Sequence, residues 1–295
     1  MRLIYTADIH AAPQHLAALI ETAQSAMADA IIIGGDIIPH HLPQFSGLDL
    51  IAAQAAYLQS IFIPAFEILH RSNPMPVFLD MGNDDLAANR PLLEQHHGRL
   101  FHLIHMQCLE LTPGVDLIGY MIVPPTPFQR KDWEKPDTKA FPRRLGGQVR
   151  THGFTTHQGY PQERVLDLNS ADTIEADLAR LSKKVRGPFI FVAHSPPADT
   201  PLDITGFGIH VGSQAIRDFI AHWARQGLLI AALHGHIHEA PVISGIDHTH
   251  IDGALCINPG QSQGANALLR YVLLELNPRR KPPAIDIMPG EMANR

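Results

Sequence analysis

Short apolar runs alternate with longer stretches of helical period along most of the chain. Leu3–Ala7, Ala30–Gly34, Val77–Met81, Phe189–Ala193 and Leu228–Leu233 are each followed or ended by Gly, Asp, Asn or His. Runs this short and this uniformly apolar predict strands buried on both faces. Between them, Pro13–Met27 sets Leu16, Leu19, Ile20 and Ala23 at helical spacing, with Pro13 suited to a first turn. Leu48–His70 reads as a helix interrupted or kinked at Pro64. Ile174–Lys184 and Ser213–Gln226 read as two more, capped by Asp172 or Thr173 and by Gly212 or Ser213. Strand and helix in alternation predict an α/β fold.

The pattern changes towards the C-terminus. Pro241–Ile243, Thr249–Ile251, Ala254–Asn258 and Leu268–Leu276 are strand-like pieces joined by short turns with no helix between them. They predict antiparallel strands forming a second sheet packed on the first. Residues 124–165 have no clear period, open with Pro124-Pro125-Thr126-Pro127, and carry Lys131, Lys135, Lys139, Arg143, Arg144 and Arg150. A loop that long inside a compact domain is functional or a solvated insert. The whole of 1–295 is expected to form one domain around it.

Composition narrows the class. With 45% hydrophobic and 18% charged residues the chain is globular, with a core. Its formal net charge of -6 argues against an extended nucleic-acid-binding face. Cys108 and Cys256 both sit in apolar surroundings and read as small hydrophobes, not a disulfide scaffold. The opening residues lack the pattern of a secretory signal, and no run is read as the ~20 apolar residues of a membrane span. A soluble cytoplasmic protein is expected. The 19 histidines direct attention to metal chemistry.

Polar residues cluster where the buried strands stop. The first is followed by Asp8-Ile9-His10, the second by Gly35-Asp36, the third by Gly82-Asn83-Asp84. Later strands run into His194 and into His234-Gly235-His236-Ile237-His238. Side chains two apart in extended chain point the same way, so Asp8 and His10 can reach one ion. Strand ends of this kind form the ligand-binding edge of open α/β sheets. Each piece alone has an ordinary explanation: a cap, a turn or a packed histidine. Together they would bury repelling carboxylates beside unpaired imidazoles unless a cation joined them. The pairs His96/His97, His102/His105 and His248/His250 have no acidic partners in sequence and read as surface or edge residues. His15 could approach the pocket from its helix start.

The set Asp8-Ile9-His10, Gly35-Asp36, Gly82-Asn83-Asp84, His194 and Gly235-His236-Ile237-His238 resembles the calcineurin-like metallophosphoesterases. The resemblance runs from residue 3 to about 262. His194-Ser195-Pro196-Pro197, Lys131-Asp132-Trp133-Glu134 and Gly235-His236-Ile237-His238-Glu239 look closest to an Icc-like branch. It implies a two-sheet β-sandwich flanked by helices. It further implies two divalent ions, one on Asp8, His10 and His238 and one on Asn83, His194 and His236, bridged by Asp36. Ligation by nitrogen and oxygen without thiolate suits Mn, Fe, Zn, Co or Ni. The implied activity is hydrolysis of a phosphodiester or phosphomonoester of a small molecule, such as a nucleotide, by hydroxide held between the ions. Asn83 and basic residues of the 124–165 insert are candidates for holding the substrate.

One residue departs from the family. Many members have His after the Gly-Asn pair, where it protonates the leaving group; Asp84 stands there instead. An aspartate with its ordinary pKa near ~3.9 is a poor proton donor at neutral pH. Asp84 is therefore expected to orient substrate or do little. Two other functions share the fold: a DNA-repair nuclease, which the acidic balance disfavours, and a non-catalytic scaffold, which usually loses ligands that this chain keeps.

Overall fold

The structure is a computed structural model and describes residues 1–40, 42–139, 149–264 and 266–288. Fourteen strands are numbered in chain order: β1 Arg2–Thr6, β2 Ala30–Ile33, β3 Val77–Leu79, β4 His102–Leu103, β5 Cys108–Thr112, β6 Val115–Tyr120, β7 His152–Thr155, β8 Gln162–Val165, β9 Phe189–Ala193, β10 Leu229–Leu233, β11 His248–Ile251, β12 Ala254–Ile257, β13 Val272–Asn277 and β14 Ala284–Ile287. The helices are α1 His15–Ser25, α2 Leu50–Tyr57, α3 Ile63–Ser72, α4 Arg90–Glu94, α5 Ile174–Ser182, α6 Gln214–Arg225 and α7 Ala240–Ser244.

Two six-stranded sheets carry the fold, in the orders β14-β13-β1-β2-β3-β4 and β11-β12-β10-β9-β6-β5. Within the first, β1, β2 and β3 run parallel; within the second, β6, β9, β10 and β12 do. Every residue of β2 and β9 is buried, which is why both read as unbroken apolar runs. Leu3, Ile31, Phe191 and Leu233 belong to one hydrophobic cluster that spans both sheets. Helices flank them. In α1, Leu16, Leu19 and Ala23 face the core; in α6, Ala215, Ile216, Phe219 and Ile220 do. Thr173 and Ser213 are the caps, accepting from the N–H of Ala176 and Ile216.

The helix expected to falter at Pro64 does so by a π-helical turn, Leu58–Phe62, between α2 and α3. Proline removes one helix donor and crowds the carbonyl four residues back, and the wider turn accommodates both. Leu50–Ser72 as a whole is long and apolar enough to cross a membrane by length and composition. Its Leu58, Phe62, Phe66 and Leu69 instead pack into the core.

The C-terminal expectation needs correction. Pro241–Ile243 lies in α7, with Pro241 in the first turn, where a missing N–H costs nothing. The last strands form no separate antiparallel sheet. β12 pairs parallel with β10, whereas β13 pairs antiparallel with β1 in the other sheet. Within 124–165, β7 and β8 form an antiparallel hairpin. Cys256 is buried and Cys108 half-buried, both free. His248 and His250 do lie on an edge strand, β11. His105 does not fit an edge reading. Its Nδ1 accepts the N–H of Met121 at 3.0 Å, and its ring packs edge-on against Trp133.

Candidate metal centre

All five polar strand ends meet at one edge. The parallel strands β1, β2 and β3 deliver Asp8 and His10, Asp36, and Asn83; β9 and β10 deliver His194, His236 and His238 from the facing sheet. Two bonds join the sheets there. The Asp8 carboxylate accepts the backbone N–H of His236 at 3.0 and 3.1 Å, and His194 Nδ1 donates to the Gly34 carbonyl at 2.8 Å. The second bond leaves His194 Nε2 facing the centre, 3.3 Å from Asp36 Oδ2 and 3.0 Å from Asn83 Oδ1. Ligand atoms of Asp8, His10, Asp36 and His238 all lie within 4.8 Å of one another. The ring of His236 lies 5.3 Å from that of His194. The sequence-predicted set is thus assembled in space. His15 is buried at the start of α1 and is not in the cluster.

The backbone is shaped around these side chains. Asp8, Asp36 and His236 have φ of 57°, 53° and 67°, a left-handed conformation that costs an L-residue ~1–3 kcal/mol. Gly82 is required because a Cβ there would collide with the Asp36 carboxylate. Gly235 is required because its Cβ would fall 2.6 Å from Asp8 Oδ2.

The electrostatics show a local shortage of positive charge. Asp8, His10, Asp36 and His194 are all essentially buried. Burial alone would keep His194 neutral, but Asp36 and then Asp8 outweigh it and raise the imidazole to about 9. His238 is likewise raised against its burial by Asp8 and Asp36. Burial, with His194 beside it, pushes His236 down to about 3. His10 falls well below its ordinary value through burial and then the nearby imidazoles, and among the described residues its Nδ1 makes no hydrogen bond, lying 3.4 Å from Asp84 Oδ2. Two carboxylates draw protons onto some imidazoles while others stay neutral. Divalent cations would supply that charge and take up the nitrogen lone pairs, so the residues fit such ions.

Asp84 is placed differently from a proton donor. One carboxylate oxygen accepts from His40 Nε2; the other is 2.9 Å from the guanidinium of Arg130. Burial works against its charge, but His40 and Arg130 outweigh burial and hold the carboxyl below the usual carboxylate range. It is an anion engaged on both sides.

No motif singles out His40, and Arg130 is one of the several basic residues of the 124–165 insert. His40 lies beyond Pro39, outside any strand-end motif, and its ring stands 3.9 Å from that of His10. Arg130 reaches the site because its neighbours are fixed. Lys131 Nζ is buried against Glu134 at 2.8 Å, Asp132 accepts the N–H of Ala87 at 2.9 Å, and Trp133 Nε1 donates to the Asp85 carbonyl at 2.9 Å. The Lys131-Asp132-Trp133-Glu134 stretch is the clamp. Of the basic residues expected to meet substrate, Lys131 is buried on Glu134 and Lys135 is paired with Asp172 and Asp177. Arg150 Nε is turned to the His152 carbonyl. Arg143 and Arg144 lie outside the described residues.

Asp85 is a further residue that only the structure explains. Its buried carboxylate accepts the N–H groups of Ile37, Ile38 and Gly82 at 2.9–3.0 Å. It thereby locks the loop after β2 to the loop after β3, and with them the positions of Asp36 and Asn83.

Comparison with known proteins agrees with this geometry. A family model described as calcineurin-like phosphoesterase matches residues 1–240. The fold is similar to that of one solved chain at TM-score 0.57 and 13% identity, covering 97% of this chain and 98% of that one. It is similar to the protein TT1561 of Thermus thermophilus at TM-score 0.52 and 16% identity, covering 97% of each. It is also similar to a dimetal phosphatase from Danio rerio at TM-score 0.50 and 11% identity, covering 93% and 92%. No curated protein gives a significant match. With the family model covering most of its length, the chain belongs to the calcineurin-like phosphoesterases.

Proposed function

We propose that this chain hydrolyses a small phosphorylated molecule, a phosphodiester or phosphomonoester, with two divalent ions. One ion would be held by Asp8, His10 and His238 and one by Asn83, His194 and His236, with Asp36 between them. The observation that carries this reading is the convergence of Asp8, His10, Asp36 and His238 within 4.8 Å, in a chain of a phosphoesterase family. When bound, such ions neutralise phosphate charge and make water acidic enough to act as nucleophile at neutral pH.

The chain's own residues do the rest. Gly34 fixes the His194 tautomer by accepting from Nδ1, leaving Nε2 as the ligand nitrogen. His238 Nδ1 lies 2.8 Å from the Gln263 side-chain amide, and its Nε2 faces inward, 3.4 Å from Asp8 Oδ1. Asp85 holds the two loops that carry Asp36 and Asn83. Arg130, a fixed cation beside the centre, is placed to meet a phosphoryl oxygen, and its guanidinium retains N–H groups for that purpose.

The test is metal analysis and activity on the purified chain. The chain is stripped by chelation and reloaded with Mn, Ni, Zn or Mg, then assayed on a panel of phosphomonoesters and phosphodiesters. Two ions per chain with metal-dependent hydrolysis is the expected result. A chain that neither retains metal nor hydrolyses any ester would overturn the reading.

A further inference from the structure

We propose that Asp84 and Arg130 together form a charge filter that favours singly charged phosphoesters over doubly charged ones. The proposal rests on the phosphoesterase reading above and assigns its substrate by charge.

The carboxylate of Asp84 stands at the border of the centre. Its backbone N–H donates to Asp36 Oδ1 at 2.8 Å, and its Oδ2 lies 3.4 Å from His10 Nδ1. Any phosphoryl group brought against His10 and Asp36 comes close to this carboxylate. Its side chain is 11% exposed, so water screens it little. A negative charge so near the site repels each negative charge on an approaching phosphate.

Arg130 is the counterweight. Its guanidinium lies 2.9 Å from Asp84 Oδ1 and donates to the Asp84 carbonyl at 3.0 Å. The cation is matched by the charge of Asp84, whose other oxygen His40 engages, and the Arg130–Asp84 pair presents N–H donors without net charge. Among the described residues, no other basic side chain of the insert is shown in contact with the centre; Lys131, Lys135 and Arg150 face internal partners. A phosphomonoester carries nearly two negative charges above neutral pH, because its second ionisation lies near ~6. A diester carries one. The second charge of the monoester meets Asp84 and finds no unmatched lysine or arginine of the insert among the described residues in contact with the centre, whereas the diester needs only the hydrogen bonds that Arg130 still offers.

The filter is read by comparing two esters with the same leaving group at pH 8, bis(4-nitrophenyl) phosphate and 4-nitrophenyl phosphate. Wild type, Asp84→Asn and Arg130→Gln are each loaded with metal and checked for metal content and melting temperature. Wild type should favour the diester in kcat/KM by at least about tenfold. Asp84→Asn frees the Arg130 charge and should cut that preference several-fold, chiefly through KM for the monoester. Arg130→Gln leaves Asp84 with His40 as its remaining partner and should widen it. A preference for the monoester in wild type, or a ratio unmoved by Asp84→Asn, overturns the proposal.

Calorimetric binding of inorganic phosphate and of dimethyl phosphate to the same proteins separates this idea from the one beneath it. If no ester is hydrolysed although metal is bound, the phosphoesterase reading fails, and binding alone then decides the filter. Tightening of inorganic phosphate in Asp84→Asn, with dimethyl phosphate little changed, supports it. Equal changes for both anions sink it.

Discussion

Asp8 accepts the backbone N–H of His236 with both carboxylate oxygens, at 3.1 and 3.0 Å. One side chain thus fixes the turn of the opposite sheet that carries two of the proposed ligands. The close approach depends on Gly235, whose Cβ would press on Ala7 and on Asp8 Oδ2. Gly235→Ala should therefore push the two sheet edges apart, at a cost of about 1–3 kcal/mol typical of overpacking. Thermal unfolding should show the loss, and metal content after dialysis should fall with it. An unchanged melting temperature and full metal retention would count against the linkage.

Asp36 contacts both halves of the cluster, with Oδ2 at 3.8 Å from His10 Nε2 and 3.3 Å from His194 Nε2. Asp36→Asn removes the charge but keeps the shape. In wild type, free metal at a hundred times its dissociation constant should stabilise the fold by about 2.7 kcal/mol per site, and chelation should reverse this. The variant should lose most of that metal-dependent rise in melting temperature. It should also hydrolyse phosphoesters at least a hundredfold more slowly. A rise equal to that of wild type would remove Asp36 from the ligand set.

His105 gives the protein a pH dependence away from the centre. Burial, only partly offset by Asp80, lowers its imidazole to about 4, whereas the unfolded chain titrates near ~6.5. A depressed folded-state value means that the unfolded chain binds the proton first on acidification. The His105 contribution to stability is therefore complete above about pH 6.5 and is lost as pH falls from there through about 4. Urea midpoints measured from pH 4 to 8 should show a shallower acid slope for His105→Gln, whose side-chain oxygen can still accept from Met121. Parallel slopes would contradict the assignment.

The buried Lys131–Glu134 pair is predicted to matter through its breakage, not its presence. Both side chains are essentially unexposed, and burial raises the Glu134 carboxyl to about 7 despite Lys131. Lys131→Met strands Glu134 without its cation, and should destabilise by about 3–5 kcal/mol in denaturant titration at pH 8. The double change Lys131→Met with Glu134→Leu should recover much of that loss. The clamp holds Arg130 in place, so the single variant should also weaken phosphate binding. A double variant no more stable than Lys131→Met would show that the charge left behind is not the cause.

Much of this protein is legible along the chain. Strands such as β2 and β9 are buried on both faces and announce themselves as apolar runs; α6 shows its buried face at helical spacing. The proposed ligands are legible for the same reason, because each follows such a run and polar residues there need an explanation. Pro241–Ile243 is misread because three apolar residues have no period, and only α7's surroundings choose helix over strand. Strand partners are equally hidden. Nothing local in Val272–Asn277 says that it pairs with β1 across the whole length of the chain.

The residues that end the buried strands, and the chemistry they can offer, are therefore readable along the chain. Their surroundings follow from packing between distant segments. Asp84 looked like an isolated departure from a motif, yet its carboxylate is held between His40 from the loop after β2 and Arg130 from the insert. Nothing local distinguishes Arg130 from its basic neighbours, and packing turns Lys131, Lys135 and Arg150 to internal partners. Periodicity reports burial one element at a time. Charge pairing depends on distance in space, which is set when the two sheets and the insert close on one another.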